Sequence, residues 1–494
     1  MAAVPAQPGE EADVIVVGGG NAGYCAAHAA ALRGRRVVLL ERASPEDAGG
    51  NSFFTAGAIR TTHDGLDDLL DVIEPDERLA RTEVPPYSAG QFRADMVRTT
   101  SGRCDPALTS ALVSDSGPAM RWLKSLGMSF RLMYERQSYK RPDGTHLFWG
   151  GLAVGAVGGG KGLVAAHERI AAQLGVTVCY DRCCHALARD NTGVTGVYWR
   201  GSDGASGLVC AESVVLAAGG FEADPALRRE HLGEGWQHAR VRGTALNDGR
   251  MLRAALDAGA ARAGDWSTAH SVAWDAAAPP AGDRQLTNQL TRQSYPLGIV
   301  VNQLGRRFVD EGADFRNYTY ARYGADILRQ PGSVAYQIFD AATRPLLRAE
   351  EYESPGVSEQ VAASIPGLAS ACGIDPGGLA QTVAEFNAAV RRDIPFDPAV
   401  KDGRSAAVSP PKSNWASPIE TPPFYAYAVT CGITFTFGGL RADAAARVLD
   451  DSGSPITGLY VCGEMLGGLF SGNYPGGSGL TSGLVFGRRA GSAA

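Results

Sequence analysis

The chain has 494 residues, 45% of them hydrophobic, which is too long for one core and predicts two or three domains with ample apolar side chains to bury. A formal net charge of −6 gives no broad basic field and argues against nucleic acid as a partner, and no run of about 18 uncharged apolar residues occurs to span a membrane. Residues 1–12 lack the basic and apolar regions of a signal peptide, and the nine cysteines are scattered, odd in number and without a CxxC pair, so reduced thiols and a cytoplasmic location are expected.

The first predicted element is a strand, Val14-Ile-Val-Val17, that breaks into Gly18-Gly-Gly-Asn-Ala-Gly23 and runs on as a small-residue helix ending near Gly34. Gly18 suits the tight turn, Gly20 lets the backbone approach a pyrophosphate, and Gly23 lets the helix pack on the strand, so that a dinucleotide meets the free N–H groups of the helix N-terminus. A second strand, Val37–Leu40, closes on Glu41, placed to accept from ribose hydroxyls; Asn21, Ala22 and Arg42 belong to the same expected cofactor site. The glycine-rich loop Ala48–Gly57, with Gly49, Gly50, Asn51 and Ser52, returns toward the cofactor and can offer backbone N–H groups to it.

Helices are predicted near Tyr87–Thr99 and from Asp105-Pro106 to Gly127, the second with Asp as cap and Pro in the first turn. Gly158-Gly-Gly-Lys-Gly162 opens another helix but lacks the GxxxxGK[ST] spacing, so no triphosphate site is expected. A strand over Val176–Tyr180 leads to Cys179, Cys183, Cys184 and His185, for which buried thiols are favoured over a structural metal. The buried strand from Ser213 ends at Ala218-Gly219-Gly220, and Thr244–Gly249, including Asp248, begins a further helix facing cofactor or loop. From 262 to 436 prolines, aromatics and long polar connections replace the regular alternation, which reads as an inserted domain; its helix over Pro376–Asp393 presents Leu379, Val383, Phe386 and Val390 as core, and 401–423 reads as a linker.

The chain then returns with the strand Gly458–Cys462, Gly463-Glu464, and a glycine-led helix from Ser478, whose N–H groups at Ser478, Gly479 and Leu480 can face the N1/O2 edge of a flavin. FAD needs such a return, whereas NAD does not. The expected fold is therefore α/β: a Rossmann-like FAD-binding domain over residues 1–261 and 437–494, with an α+β capping domain at 262–436.

Four segments carry a resemblance to a known family: Gly305–Tyr320 (GRRFVDEGADFRNYTY), Gly432–Gly439 (GITFTFGG), Gly463–Phe470 (GEMLGGLF) and Asn473–Leu480 (NYPGGSGL). In these the chain resembles the fumarate reductase and succinate dehydrogenase flavoproteins, and among them the tricarballylate dehydrogenases. The resemblance implies substrate held between the FAD and capping domains, oxidation of a saturated carboxylate to its alkene, and electrons passed to a separate acceptor, which in this branch is a membrane electron-transfer partner. The covalent-flavin histidine of the superfamily is absent from Asn51–Thr55, which implies noncovalent FAD. Fumarate reductases place a histidine and an arginine where this chain has Phe435 and Tyr474, and their glutamate and arginine proton relay falls on Thr291 and Ser294.

Arg316 matches the superfamily's proton-transferring arginine; read as a bare residue it is a bidentate carboxylate clamp or a surface ion pair, because its pKa exceeds about 12. His270 matches a substrate-binding histidine, with a satisfied interior histidine as the other reading. Arg60 and Arg292 can clamp further carboxylates or carry solvated charge. Phe54, Tyr318, Phe435 and Gly477 complete the expected substrate contacts, and Tyr474 is grouped with Arg316 and His270 as catalytic. Two rivals stand beside acid dehydrogenation: α,β-dehydrogenation of a cyclic ketone polarised by Tyr474, as in ketosteroid dehydrogenases, and a nonenzymatic flavin-binding module. Fumarate-type alkene reduction is the reverse chemistry; the chain has no haem-attachment CxxCH to bring low-potential electrons in.

Overall fold

A computed structural model describes residues 12–494, so most of the N-terminal stretch read above for a signal peptide lies outside the described residues. They form two compact units: the first comprises the chain up to Gly233 with Gly243–Ala269 and Phe435–Ala494, the second Glu234–Arg242 with His270–Thr434. The short 234–242 segment thus belongs to the second unit, ahead of the main insertion.

The first unit is built on a six-stranded sheet in the order Arg447–Leu449, Pro455–Val461, Ser213–Leu216, Val14–Val17, Val37–Leu40, Thr177–Cys179, parallel except at the Arg447–Leu449 edge. The central strands Val14–Val17, Val37–Leu40 and Ser213–Leu216 are buried at every position and apolar except at Ser213, the pattern of a parallel sheet covered by helices. Val14–Val17 has its sequence successor, Val37–Leu40, on one side and Ser213–Leu216 on the other. The connections therefore diverge at its C-terminal end, where α/β sheets bind ligands.

Backbone crowding dictates the residues there. Gly18 has φ +105°, and a Cβ on it would lie 2.4 Å from the Ala217 carbonyl oxygen; one on Gly23 would lie 1.9 Å from the Gly18 carbonyl oxygen. The helix Asn21–Ala31 is consequently seated directly against the turn. The C-terminal helix Ser478–Ala493 packs on it through Gly487 and Gly491, where a Cβ would come within 2.4 and 2.0 Å of the Ala22 and Ala26 carbonyl oxygens. An antiparallel sheet of Cys183–Arg189, Val194–Arg200 and Ser206–Cys210 adds to the unit, an element the motif reading did not foresee. The two predicted surface helices form as Ala89–Thr99, with a Ser88/Gln91 capping box, and Pro106–Ser125, capped by Asp105.

In the second unit a sheet runs Arg240–Val241, Phe424–Leu440, Ala335–Asp340, Ile299–Asn302, with Phe424–Leu440 extending beyond Thr434 into the chain of the first unit. Its core joins Ile299, Val301 and Ile338 to Leu379, Val383 and Phe386 of the helix Pro376–Ala389, as the helical spacing predicts. Residues 401–423 are not a solvated linker: Ala406, Trp415, Ala416 and Ile419 are buried. Lys412 is fully buried too, its ammonium donating to the carbonyl oxygens of Pro296 and Gly298. Pro and Ser content marked irregular backbone correctly but said nothing of burial.

Candidate functional site

The cofactor cradle of the first unit begins with two helix N-termini, those of Asn21–Ala31 and Ser478–Ala493, both preceded by glycine and neither capped by its own N-cap side chain. Their leading amides are the donors that a pyrophosphate and a flavin N1/O2 edge require. The Ser52 hydroxyl accepts from Asn21 N at 3.0 Å, and Asn21 Nδ2 donates to Leu480 O at 3.0 Å, tying the loop and both helices together. Gly49 and Gly50 have positive φ, and a Cβ on Gly50 would meet nothing within 4 Å, so the loop borders open space. Glu41 is buried and accepts from Gly19 N at 2.7 Å and Ala43 N at 2.8 Å, holding the phosphate turn while each oxygen keeps a lone pair for a ribose hydroxyl. Arg42 pairs with Asp248 at 3.0 Å; burial would raise the Asp248 carboxyl, but the nearby Arg42 charge holds it below its ordinary value. These residues fit FAD.

A carboxyl pair lies beneath the cradle. Glu222 is fully buried, and its Oε1 accepts from Asn51 Nδ2 at 2.7 Å and Asn247 Nδ2 at 2.6 Å. Its side chain is in hydrogen-bonding contact with Glu464, whose Oε1 accepts from Thr436 N at 2.8 Å. Burial and the like charge of Glu222 push Glu464 well above the ordinary carboxylate range, which favours its protonated form. Asn51 Oδ1 in turn accepts from Thr244 N at 2.8 Å. Ala218-Gly219 closes the strand beside them; Gly219 has φ +76° and sits against the Asn247 amide.

Next to the C-terminal helix the first unit carries an aromatic box. Phe435 meets Tyr474 edge-on at 5.2 Å and Phe437 at 5.3 Å, and Phe470 closes on Tyr474 at 5.4 Å. A Cβ on Gly479 would touch Phe435 at 3.5 Å and Tyr474 at 3.8 Å, which puts the box on the first turn of Ser478–Ala493. Arg60 is fully buried, donating through Nε to Gly476 O at 2.8 Å and through Nη1 to the Tyr87 hydroxyl at 2.9 Å, with Asp95 at 3.6 Å; it is no solvated charge. Gly477, at φ +85°, lies against Arg60 and Leu152, and Phe54 is buried with its ring edge-on to Phe53.

The second unit holds the cationic groups. Arg316 opens the short helix Arg316–Tyr318, is buried, and donates through Nη1 to Gln293 Oε1 at 2.6 Å, so it is not a surface ion pair. Tyr318 ends that turn and is half-buried. His270 is 2% exposed and packs edge-on against Tyr320 at 5.1 Å. Burial, and then the Arg242 charge, push its pKa well below the usual histidine range, so it is neutral. Arg292 is fully buried and committed to the equally buried Asp275 at 2.7 Å, with Nη1 donating to the carbonyls of Gln289 and Thr291. Neither a solvated charge nor an open clamp describes that geometry. Arg242, unremarked in the sequence, is buried and donates through Nη1 to Thr434 Oγ1 at 2.9 Å and through Nη2 to Asn288 Oδ1. Glu222, Arg242 and Asn288 were missed because they stand in no motif; a lone arginine followed by glycine, ahead of the insertion read from composition, gives no signal.

A model of the FAD binding domain family matches residues 13–480. The probable fumarate reductase Ifc3 of Shewanella frigidimarina (strain NCIMB 400) is 28% identical to the chain over 501 residues, covering 99% of it and 76% of that protein. The 4-oxocyclohexanecarboxylate 2-dehydrogenase of Sinomonas cyclohexanicum is 28% identical over 568 residues, covering 98% of the chain and 93% of that protein. Among solved structures, the open conformation of a flavocytochrome c3 fumarate reductase aligns with a TM-score of 0.71 at 25% identity, over 98% of this chain and 78% of that one. The 3-ketosteroid delta1-dehydrogenase from Sterolibacterium denitrificans shares the fold, with a TM-score of 0.74 at 22% identity over 98% and 99% of the two chains.

Proposed function

The chain belongs to the FAD binding domain family, within the fumarate reductase and succinate dehydrogenase flavoproteins, and from that premise we propose that this FAD-dependent oxidoreductase of CH–CH groups dehydrogenates a saturated carboxylic acid. The substrate we infer is tricarballylate-like, or larger, and is oxidised to its α,β-unsaturated product. The observation that carries this reading is the aromatic box: Phe435 and Tyr474, at the positions where the resemblance implies a histidine and an arginine, are locked in mutual edge-on contacts with Phe437 and Phe470. Such a wall cannot neutralise the second carboxylate of a compact four-carbon diacid, but it can line a bulkier substrate, with the tyrosine hydroxyl giving one neutral hydrogen bond.

Bound noncovalently, FAD supplies the acceptor for the β hydrogen and its electron pair. The chain's own residues do the rest. Gly18, Gly20, Gly23 and the two helix N-termini would hold the cofactor, and the Ser478–Leu480 amides would supply donors for the negative charge that flavin reduction brings. Arg316 is the group through which the α proton moves. A guanidinium keeps its protons to above about pH 12, so it takes the α proton only as it gives one of its own to solvent water, with Gln293 fixing Nη1 for that exchange. His270, neutral, contributes a hydrogen bond to the substrate carboxylate without adding charge. Electrons leave to a separate acceptor, and the free state of all nine cysteines accords with a cytoplasmic location.

The relative from Sinomonas cyclohexanicum favours one second reading, a cyclic keto acid whose ring lies on the aromatic box and whose ketone is polarised by Tyr474. A dye-linked assay with tricarballylate, larger saturated acids and 4-oxocyclohexanecarboxylate tests both. Turnover of an open-chain acid supports acid dehydrogenation, turnover of the keto acid alone supports the second reading, and turnover of none refutes both.

A further inference from the structure

The second unit contains a buried amide donor, on Asn288, without a partner. Asn288, in the short helix Thr287–Leu290, is 5% exposed, and its Oδ1 accepts from Arg242 Nη2. That bond fixes which end of the amide is oxygen, because a guanidinium can only donate. Asn288 Nδ2 shares its carbon with that oxygen and so stands beside the guanidinium, yet it has no hydrogen-bond partner. Leaving an amide N–H unmade in the interior is costly enough that native proteins rarely tolerate it without a ligand or water to receive it. Arg242 Nη1 donates to the neutral Thr434 hydroxyl, and His270, kept neutral by burial with the Arg242 charge adding to it, lies within reach of that charge. The rigid support comes from the sheet: Arg240–Val241 pairs with Gly432–Ile433, and Arg242 N donates to Ile433 O at 2.7 Å.

We propose that Arg242 and Asn288 form a carboxylate receptor, specificity-determining for the acid substrate, with His270 at its side. This deepens the reading given above and rests on it. It divides the labour of the second unit: the carboxylate anchor is Arg242 with Asn288, and Arg316 is left for the proton. Arginine's planar fork with an amide donor beside it matches the two oxygens of a carboxylate better than the single oxygen of a ketone or alcohol. The rival is a bond network that only ties Arg240–Val241 to its neighbour strand.

Asn288→Asp separates the two. It keeps the oxygen that accepts from Arg242 and strengthens the internal pair, so a purely structural role would be preserved or improved. It also replaces the unused donor by an acceptor and sets a negative charge against the guanidinium, closing the receptor to an external anion. The FAD-loaded enzyme is titrated with malonate, a diacid that cannot form an alkene across its single methylene, and with tricarballylate, following the flavin difference spectrum. Wild type is expected to bind both, and Asn288→Asp to bind each about thirty-fold or more weakly with unchanged FAD content and melting temperature. Arg242→Lys, which keeps charge but loses the fork, is expected to weaken binding about ten-fold and serves if the aspartate variant fails to fold. Malonate affinity within threefold of wild type in Asn288→Asp, or no binding of either acid by wild type, overturns the receptor. Binding that depends on Asn288, together with no dye-linked oxidation of any saturated acid, keeps the receptor and sinks the dehydrogenase reading instead.

Discussion

Arg292→Met distinguishes an interior ion pair from a substrate clamp. Arg292 and Asp275 are both fully buried and 2.7 Å apart, and removing one partner of such a pair typically costs about 3–5 kcal/mol, because the other charge is left in the interior. Asp275 keeps three donors in the variant: Ser358 N at 3.0 Å, Ser358 Oγ at 2.6 Å and Ala277 N at 2.8 Å. The methionine also refills most of the volume of the arginine stem, so the loss should fall near the lower end, about 3 kcal/mol. Two carbonyls, of Gln289 and Thr291, lose a donor and oppose any smaller value. Adding Asp275→Asn removes the stranded charge while keeping an oxygen for Ser358, and should return about 1–2 kcal/mol of that loss as a coupling energy. Urea unfolding of the FAD-loaded enzyme reads the stability, and steady-state kinetics on the folded fraction reads the site. The expectation is a large fall in unfolding midpoint with KM within threefold of wild type. A variant as stable as wild type to within about 1 kcal/mol, with KM for polycarboxylates raised tenfold, would refute the reasoning and make Arg292 a clamp.

Gly23→Ala should abolish FAD binding while the second unit stays folded, because its Cβ would lie 1.9 Å from the Gly18 carbonyl oxygen and must drive the helix off the phosphate turn; flavin content after gel filtration measures it, and stoichiometric yellow enzyme would contradict it. Arg316→Lys should retain FAD and lose turnover by about three orders of magnitude or more, about 4 kcal/mol in the barrier, since a point charge on Nζ cannot replace the guanidinium held by Gln293; more than a tenth of the wild-type rate speaks against a proton role. Lys412 is pushed down by burial from 10.5 to about 8, with Glu311 opposing and Arg307 adding to the shift. Between those values the unfolded chain binds the extra proton, so this group's penalty is fully present below pH 8 and is relieved as pH rises toward 10.5, by about 3 kcal/mol in all. Melting temperatures compared at pH 7.5 and 9.5 should show an upward contribution in wild type that disappears in Lys412→Met; parallel slopes would remove it.

The parts of the molecule governed by backbone geometry were readable along the chain. Gly18 and Gly23 are fixed by crowding against Ala217 and against each other, and the small residues of Ser478–Ala493 by the approach of Ala22 and Ala26; that leaves a mark in sequence at fixed spacing. The start of Pro106–Ser125 followed from its Asp105 cap and first-turn proline, and the core face of Pro376–Ala389 from its apolar periodicity, for the same local reason. What stayed hidden depends on partners brought together only by the fold. Glu222 and Glu464 meet across about half the chain, and neither position carries a pattern that anticipates the other. Arg292 looked like a clamp because Asp275, 17 residues upstream on another element, could not be assigned to it. Arg242 and Asn288 lie in stretches of mixed composition and bind through neutral atoms, so charge counting passed over both. Residues 401–423 have a linker's composition, yet Lys412 is among the most buried cations of the described residues.

The most direct test of the central claim is anaerobic mixing of the FAD-loaded enzyme with tricarballylate and larger saturated acids while the oxidised flavin band is followed, with product analysis for the alkene. Bleaching of that band with stoichiometric unsaturated acid is the predicted result. An unchanged flavin with every saturated acid, together with rapid fumarate reduction from reduced viologen, would contradict the account.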